Sequence, residues 1–354
     1  MFVALRDLRH ARGRFVLMSV VIVLITFLVT FLASLTAGLA RESTSAITDL
    51  PADHLAFSMP AGGDAPEFTA SRVTSDQWEA WARVPGVESA EPLGLATTRA
   101  GSDSTTASVT ALGVPDGVEA GTVVLTPAAA DALGARTGDT VTLGGTELTV
   151  AATADADESF SHTPVVWTTL DDWQDVGARG AGTDDVATVV ALTTSADADA
   201  AALADADAAL GTTTVTTSDA RSAVPSFAGE NTSLTTMQAF LLVISALVVG
   251  AFFTVWTIGR SGDVAVLKAL GASTRYLLRD ALGQAAVLLV GGVALGTALT
   301  AAGAALLPDA VPVLVTATTT LVPAAGLVLL GLVGAAVSIA RITRIDPHAA
   351  LAAR

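Results

Sequence analysis

Few residues of this chain have side chains suited to catalysis. Cysteine is absent from all 354 residues, which excludes disulfides, zinc–thiolate sites, iron–sulfur clusters and thiol nucleophiles. No G-x-S-x-G or H-E-x-x-H pattern occurs, and the long acidic segment described below contains two histidines, His54 and His162. A Ser-His-Asp triad would rest on composition alone, so the sequence does not favour an enzyme and predicts no catalytic cofactor.

Nucleotide and calcium sites are equally unsupported. Lys268 is the sole lysine, and it lacks both the glycine-rich segment that precedes a P-loop lysine and the Ser or Thr that follows it. ATP-driven work therefore requires another subunit. The Ala-Asp runs at 195–210 and 154–158 lack the turn glycine and the distal glutamate of a calcium loop. We interpret them as a solvated acidic surface.

Hydrophobic residues are concentrated in four uncharged stretches. The chain is 51% hydrophobic with a mean hydropathy of +0.60, and residues 15–40, 231–259, 281–308 and 310–340 carry no charge. Each stretch supplies the roughly 20 residues that cross a bilayer as an α-helix. The first is too long for a signal peptide and is interpreted as a retained anchor. The sequence predicts an α-helical membrane protein with four transmembrane helices and excludes a soluble enzyme.

The charges alternate along the chain. Residues 41–235 hold 7 Arg and 29 Asp or Glu, whereas 11 of the 18 basic residues lie in the N-terminus, the 260–280 segment and the C-terminal tail. Basic residues flank membrane helices on the cytoplasmic side. We therefore expect a multi-pass protein of the plasma or inner membrane, with both termini cytoplasmic and the acidic domain outside. A segment this acidic does not bind nucleic acid.

These patterns divide the chain into nine segments. Between the first and second spans we predict a mixed α/β domain, whose strand order the sequence does not reveal. The segments are a cytoplasmic amphipathic basic segment 1–14, a first span 15–40, an extracytoplasmic domain 41–233, a second span 234–259, a cytoplasmic helix 260–280, a third span 281–307, a short outer loop 308–320, a fourth span 321–340 and a cytoplasmic tail 341–354.

Several elements of the outer domain have local signals. Tryptophans three residues apart predict a helix with Trp78 and Trp81 in the core, and two glycines between apolar runs predict a hairpin. The predicted elements are helices at 75–84 and 127–133, a hairpin turn at Gly144 and Gly145, and strands at 165–167 and 186–192.

The spans themselves contain small residues and no charge. Gly292 and Gly296 form a GxxxG pair, and Ser34 and Gly38 form a similar pair, both of which permit close helix packing. The absence of charged residues disfavours an internal ion relay. The amphipathic helix at 260–280 is either an interfacial helix lying on lipid or a docking element for a soluble partner, and its periodicity does not distinguish these.

The order of one span, a large outer domain and three further spans resembles the FtsX-like, MacB-type permeases of ABC transporters. The resemblance rests on DVAVLKALGASTRYLLRD at 263–280 and IDPHAAL at 345–351. The opening MFVALRDLRHARGRF and the later GLARES at 38–43 are similar to the heme-exporting, HrtB-type branch.

The resemblance implies a homodimer that carries two copies of a separate, HrtA-like ATPase. ATP hydrolysis by that partner would move the outer domains mechanically and export heme from the outer half of the membrane, which is a heme detoxification role. The residues that it places in the ATPase-coupling helix are Asp263, Val264, Leu267, Lys268 and Leu270.

The resemblance also implies heme contacts at the outer membrane surface. Ferric heme takes an axial His, Met, Tyr or Cys and sometimes a carboxylate. The family's heme exporters often carry an aromatic hydroxyl near position 162, where this chain has Phe160. This difference shifts the expected iron ligands to Glu42, His162 and Met237. The full set of candidate heme-binding residues is Arg41, Glu42, His54, His162, Glu230 and Met237.

Two other readings keep the same architecture. One is a MacB-like or lipoprotein-releasing permease for peptide or lipid cargo, and the other is an FtsX-like mechanical regulator of a cell-wall hydrolase. The sequence leaves both open.

The coupling role of the inner helix is testable. Leu267→Asp or Lys268→Glu should abolish co-purification of the ATPase, because each places a new negative charge on the docking surface. Pull-down with a tagged ATPase measures this, and circular dichroism should show that the outer domain stays folded. Unchanged association would mean that the interface lies elsewhere.

Overall fold

A computed structural model describes residues 12–342 except 61, 63, 104, 178–184, 197, 260–261, 263–265, 267–269 and 309–310. The chain forms two compact units, which are Met1–Gly38 together with Thr232–Arg354, and Leu39–Asn231. We call the first the helical unit and the second the α/β domain.

The described elements are eight α-helices and twelve strands, with one short 3-10 helix at Ala220–Ala223. In chain order they are α1 (Arg12–Thr48), β1 (His54–Ser58), β2 (Val73–Thr74), α2 (Ser75–Trp81), β3 (Val87–Gly101), β4 (Thr106–Val114), β5 (Thr122–Leu125), α3 (Pro127–Leu133), β6 (Thr140–Leu143), β7 (Thr146–Thr153), β8 (Ser159–Phe160), β9 (Thr163–Thr169), α4 (Leu170–Gly177), β10 (Val186–Ala187), β11 (Val189–Thr194), α5 (Ala200–Leu210), β12 (Thr212–Thr216), α6 (Pro225–Gly259), α7 (Thr274–Ala304) and α8 (Ala317–Ile342).

Four of these helices, α1, α6, α7 and α8, are long and apolar enough to cross a membrane, as the sequence predicts. Three of them extend well beyond the predicted spans, and α7 does so by starting at Thr274, ahead of the predicted start at residue 281. Helix α1 continues past residue 40 to Thr48, because the chain offers no helix breaker before Pro51. Helix α6 begins nine residues before the predicted span, with Pro225 at the first helical position that favours proline. Hydropathy delimits the apolar part of a helix and not the helix itself.

The predicted GxxxG pair mediates close packing in the helical unit. Gly292 and Gly296 of α7 lie against Ile22 and Thr26 of α1, so closely that a Cβ at either glycine would come within 2.6 Å of the facing side chain. Small residues allow this approach, which membrane helices use in place of the hydrophobic effect. A larger residue at either glycine would therefore separate α1 from α7.

The second small-residue pair lies elsewhere on α1. Gly38 packs against the backbone carbonyl of Pro312, and the backbone N–H of Leu314 donates to the carbonyl of Ser34 at 3.0 Å. The chain between α7 and α8 therefore lies directly on α1, because neither position carries a large side chain.

In the α/β domain, ten strands form one sheet with the main order β12-β1-β11-β3-β4-β9-β5-β7-β6, to which β8 is attached through β9. Strand β3 pairs with β6 as well, through Ala100 with Leu143 and Gly101 with Thr142, so that six strands close into a ring. The first half of β3 pairs with β11 instead. One 15-residue strand thus belongs to both the open and the closed part of the sheet.

The closed part has its own hydrophobic core, whereas the open part packs against the ends of two long helices. Val109, Leu125 and Leu148 are among the buried residues inside the ring. Ile47 of α1 and Phe227 of α6 join a second buried cluster with strand residues of the domain. The helix ends are therefore integral to the domain and do not merely connect it.

The predicted tryptophan helix and glycine hairpin are both present. Trp81 is fully buried and Trp78 packs against the same core, as predicted. The helix was predicted to reach Val84, which is wrong: it ends at Trp81, because the next turn tightens into an i to i+3 bond from the Val84 N–H to the Trp81 carbonyl ahead of Pro85. Gly144 and Gly145 form the hairpin turn with φ values of 58° and 107°.

The predicted strand at 165–167 lies within β9, but the single strand predicted at 186–192 is wrong. The segment forms β10 and β11, separated at Thr188. The Thr188 hydroxyl accepts a hydrogen bond from the backbone N–H of Leu95 at 2.8 Å, and its carbonyl accepts one from Ser71 at 2.7 Å. Side-chain bonding at this threonine therefore replaces the regular ladder.

One tryptophan fixes the spacing of α4 on the sheet. Trp173 is buried on Gly94 of β3 and Gly113 of β4, which face each other in register. A Cβ added at either glycine would overlap the Trp173 side chain.

Gly94→Ala should therefore destabilise the protein by about 1–3 kcal/mol through overpacking. Gly101→Ala on the same strand is the matched control, because its new Cβ would meet Thr106 at an ordinary 3.5 Å. Thermal unfolding followed by tryptophan fluorescence measures both. Equal stability of the two variants would refute the packing role of Gly94.

Candidate functional site

The site begins with a two-residue turn between β8 and β9. Ser161 and His162 have φ values of 51° and 63°, as the central residues of a type I′ turn require. Such turns favour Asn and Gly, and positive φ is strained for other residues. Strained backbone of this kind persists where surrounding contacts hold it, so the contacts of this turn indicate what it does.

The backbone of the turn is docked on helix α1. The Ser161 N–H donates to the carbonyl of Ser43 at 2.9 Å, and the His162 N–H donates to the carbonyl of Glu42 at 3.2 Å. The Ser45 hydroxyl is bonded to the backbone N–H of Ser159 at 2.8 Å. These bonds satisfy the polar backbone of the hairpin and fix its register on α1.

Phe160 anchors the same hairpin in the core. Its ring is buried and lies edge-on to Phe68 with 5.4 Å between the ring centroids. Phe68 in turn contacts Phe57 at 4.8 Å. Position 160 therefore supplies packing to the buried cluster.

The imidazole of His162 lies between two carboxylates. Its Nε2 atom is 3.0 Å from Glu230 Oε2 and 2.9 Å from the Ser43 hydroxyl, and its Nδ1 atom is 3.7 Å from Glu42 Oε2. The three side chains are partly exposed, at 31% for His162, 44% for Glu42 and 45% for Glu230. Helix α1, the hairpin turn and helix α6 thus bring three of the six predicted heme-binding residues together.

The donor and acceptor pattern assigns a proton to Nε2. An ionised carboxylate is an acceptor only, so the 3.0 Å contact with Glu230 requires an N–H on this nitrogen. The Ser43 hydroxyl accepts from or shares the same hydrogen. His162 is therefore a donor toward α6 in this arrangement.

The group contains the residue types of a Ser-His-Glu triad but not its geometry. The Ser43 side chain is completely buried within α1, so a substrate has no access to its hydroxyl. Nε2 is shared with Glu230, and Glu42 is too distant from Nδ1 to orient it by a hydrogen bond. The arrangement does not support nucleophilic catalysis.

The structure shows different surroundings for the other three predicted heme-binding residues. Arg41 forms an ion pair with Asp49 at 2.8 Å, and both side chains are substantially exposed. His54 lies on β1, paired with Leu192 and Thr216. Met237 belongs to the helical unit, where its side chain is 56% exposed.

The coupling residues predicted in the inner helix fall largely outside the described part of the chain. Asp263, Val264, Leu267 and Lys268 lie among the residues that are not described. Leu270 is described. Its side chain is exposed, it lies in a turn, and its backbone N–H donates to the carbonyl of Val266 at 3.0 Å.

Sequence reasoning missed the serines of the site. Ser43 contacts the imidazole, and the Ser161 hydroxyl donates to the Ser226 hydroxyl on α6 at 2.9 Å. Serine is too common in this chain to signal such a role. The available signal was the lack of a helix breaker after residue 40, which places Ser43 on α1 next to Glu42.

Within the described residues, no group of three or more His, Asp or Glu side chains has the arrangement of a metal site. The two carboxylates of the His162 group approach opposite nitrogens of the ring and do not converge on one point. Binding of a metal centre here therefore requires side chains to move.

Glu158, at the base of the same hairpin, is electrostatically perturbed. Burial raises the pKa of its carboxyl above the ordinary 4.5, and the negative charge of Asp49 adds to the rise. The hydrogen bond from Trp167 Nε1 at 2.8 Å and the charge of Arg41 lower the pKa and oppose the shift. The folded chain holds the Glu158 proton more tightly than the unfolded chain does. The protonated carboxyl therefore favours the folded state below about pH 4.5, and this contribution to the free energy of unfolding is lost as the pH rises through the folded-state pKa.

Glu158→Gln should raise the unfolding temperature at pH 7.5, because it removes the cost of a partly buried charge while its amide oxygen still accepts from Trp167. The rise should be no more than about 2 °C, since the group is partly exposed, and it should vanish near pH 4. Differential scanning fluorimetry at both pH values measures this, with exposed Glu119→Gln as the control. A lower unfolding temperature at pH 7.5 would contradict the assignment.

Comparison with known proteins finds two family matches along the chain. Residues 15–210 match the model of the MacB-like periplasmic core domain, and residues 236–347 match that of the FtsX-like permease C-terminal region. The extracellular domain of the noncanonic ABC-type transporter YknZ from Gram-positive bacteria is similar at 17% identity and a TM-score of 0.35, over 46% of this chain and 98% of that one.

Two relatives represent the sequence matches. The putative hemin transport system permease protein HrtB of Staphylococcus epidermidis is 30% identical over 141 residues, so the matched part spans 40% of each protein. An uncharacterized ABC transporter permease of Mycobacterium tuberculosis is 27% identical over 357 residues, which is 98% of each protein. The two family matches together cover the predicted order of spans and outer domain, and the chain belongs to the FtsX-like, MacB-type family of ABC transporter permeases.

Proposed function

We propose that this chain is the permease subunit of an ABC transporter that exports heme from the outer half of the membrane. The observation that carries the proposal is the meeting of Glu42, His162 and Glu230 within one group. Imidazole and carboxylate are groups that ligate ferric heme iron. The similarity to a hemin transport permease over 141 residues supports the same cargo.

The position of these residues in the sequence suits an amphiphilic cargo. Glu42 follows the apolar stretch 15–40 by two residues, and Glu230 directly precedes the apolar stretch that begins at residue 231. Both carboxylates therefore border segments that enter lipid. A porphyrin ring partitions into the hydrocarbon, and its metal meets the carboxylates where that hydrocarbon ends.

The energy for export comes from another subunit in this proposal. The chain has no P-loop sequence, so a separate HrtA-like ATPase binds and hydrolyses ATP. Two permeases and two ATPases form the complex, with the 260–280 segment as the contact. The α/β domain lies outside the cell membrane and both termini lie inside, as the distribution of Arg and Lys indicates.

Hemin titration of the purified protein tests the cargo. The wild type should shift the Soret band, and Glu42→Ala or His162→Gln should weaken the apparent affinity by about tenfold or more through loss of an axial or supporting group. Met237→Ala tests the third expected iron ligand in the same assay. Glu119→Ala is the matched control for Glu42→Ala, because it makes the same chemical change at an exposed carboxylate outside the group.

A wild type without a Soret shift would eliminate heme as the cargo. Family membership would then favour a permease for peptide or lipid cargo, or a mechanical regulator of a cell-wall hydrolase. Capture of a hydrolase by the protein, with unchanged heme tolerance on gene deletion, would identify the regulator.

A further inference from the structure

We infer that the His162 imidazole links helices α1 and α6, and that cargo metal releases this link by taking the same nitrogen. The inference rests on the proposed function for the identity of the cargo, and it assigns to His162 a positioning role that heme binding alone does not require. It concerns contacts within the α/β domain.

The turn contacts both helices but in different ways. Toward α1, the backbone N–H groups of Ser161 and His162 donate to helix carbonyls, and these bonds do not depend on the imidazole. Toward α6, the turn uses side chains: the Ser161 hydroxyl bonds to Ser226 at 2.9 Å, and Nε2 of His162 bonds to Glu230 at 3.0 Å. Loss of the imidazole contact therefore weakens the connection to α6 while the turn stays on α1.

Linking and ligation exclude each other at Nε2. The nitrogen donates its hydrogen to Glu230, as the acceptor-only carboxylate requires. A metal needs the lone pair of the same atom, so ligation requires the other tautomer of the ring: Nε2 gives its proton to water, Nδ1 takes a proton from water on the side of Glu42, and the freed lone pair of Nε2 forms the N–metal bond. Glu230 then faces a nitrogen without a hydrogen, and the contact is lost. No electron is transferred in this exchange.

The groups that face the His162 ring determine which contact is lost when a metal binds at Nε2 or at Nδ1. Glu230 from α6 and the Ser43 hydroxyl from α1 face Nε2, whereas Glu42 from α1 faces Nδ1 at 3.7 Å. A metal bound at Nδ1 would displace Glu42 and leave the α6 contact intact. The position of α6 relative to α1 therefore reports which nitrogen the cargo takes.

The chain is well suited to a distance measurement, because it has no cysteine of its own. Thr48→Cys on α1 and Ala228→Cys on α6 introduce unique nitroxide labels at exposed positions of the α/β domain. Double electron–electron resonance on the full chain in nanodiscs gives the distance between the labels. Cobalt(III) protoporphyrin IX serves as the probe because its low-spin metal is diamagnetic and binds imidazole, and metal-free protoporphyrin IX is the ligand control.

In the wild type, the cobalt porphyrin should change the mean distance by about 2 Å or broaden its distribution, as expected for a helix shift. Metal-free porphyrin should leave the distribution unchanged.

Two substitutions separate linking from ligation. His162→Gln retains an N–H donor for Glu230 but does not ligate the metal, so it should keep the unliganded distance with and without the probe.

His162→Phe loses both functions and should show the released distribution without any probe. Both replacements are unbranched at Cβ, so the positive φ at this position affects them similarly. A cobalt porphyrin Soret shift without a distance change, or a distance change that persists in His162→Gln, would overturn the inference and leave heme binding standing. Absence of a Soret shift for both hemin and the cobalt porphyrin would instead refute the proposed function.

Discussion

The docking of the Ser161–His162 turn on helix α1 is the interaction on which the rest of the site depends. Two backbone hydrogen bonds hold the turn against the carbonyls of Glu42 and Ser43, and the buried Phe160 ring prevents the hairpin from sliding along the helix. The imidazole reaches a carboxylate on either side because its backbone is fixed in this way. A free hairpin of this sequence would not keep two non-glycine residues at positive φ.

This docking requires α1 to continue as a helix beyond its apolar part. Beyond its apolar part, α1 continues to Thr48 because the sequence has no helix breaker before Pro51. Glu42 and Ser43 are therefore presented by a rigid element and not by a flexible connection. Because Ile47 is buried in the domain core, the end of α1 cannot shift without disturbing the cluster that anchors Phe160.

The sequence predicts the parts of this structure that depend on local patterns. Four apolar helices, the tryptophan helix and the Gly144-Gly145 hairpin follow from period, length and turn chemistry, and the structure has all of them. The closure of the ring through the second half of β3 has no local signal, since it depends on a pairing between residues about 40 positions apart. The break at Thr188 likewise depends on a hydrogen bond to a distant strand.

The candidate site also depends on contacts that have no local signal in the sequence. The chemistry of Glu42, His162 and Glu230 indicates each residue separately, and their meeting depends on a turn that carries Ser-His where a type I′ turn would favour Asn-Gly. A sequence reading has no reason to place a tight turn there. The strained turn therefore explains why the sequence does not predict this meeting of side chains, and its contacts with α1 and α6 hold it in place.

The charges around the site constrain how a heme would enter it. Arg41 is already paired with Asp49, so it does not offset the carboxylates of Glu42 and Glu230. Residues 41–235 have a large excess of acidic over basic side chains, with 29 of the former and 7 of the latter. Propionates are repelled by such a surface, whereas the cationic centre of a ferric porphyrin is attracted to it. On the proposed function, the porphyrin therefore meets the site with its metal first and its propionates directed away, which is the orientation in which the metal competes with Glu230 for the same nitrogen of His162.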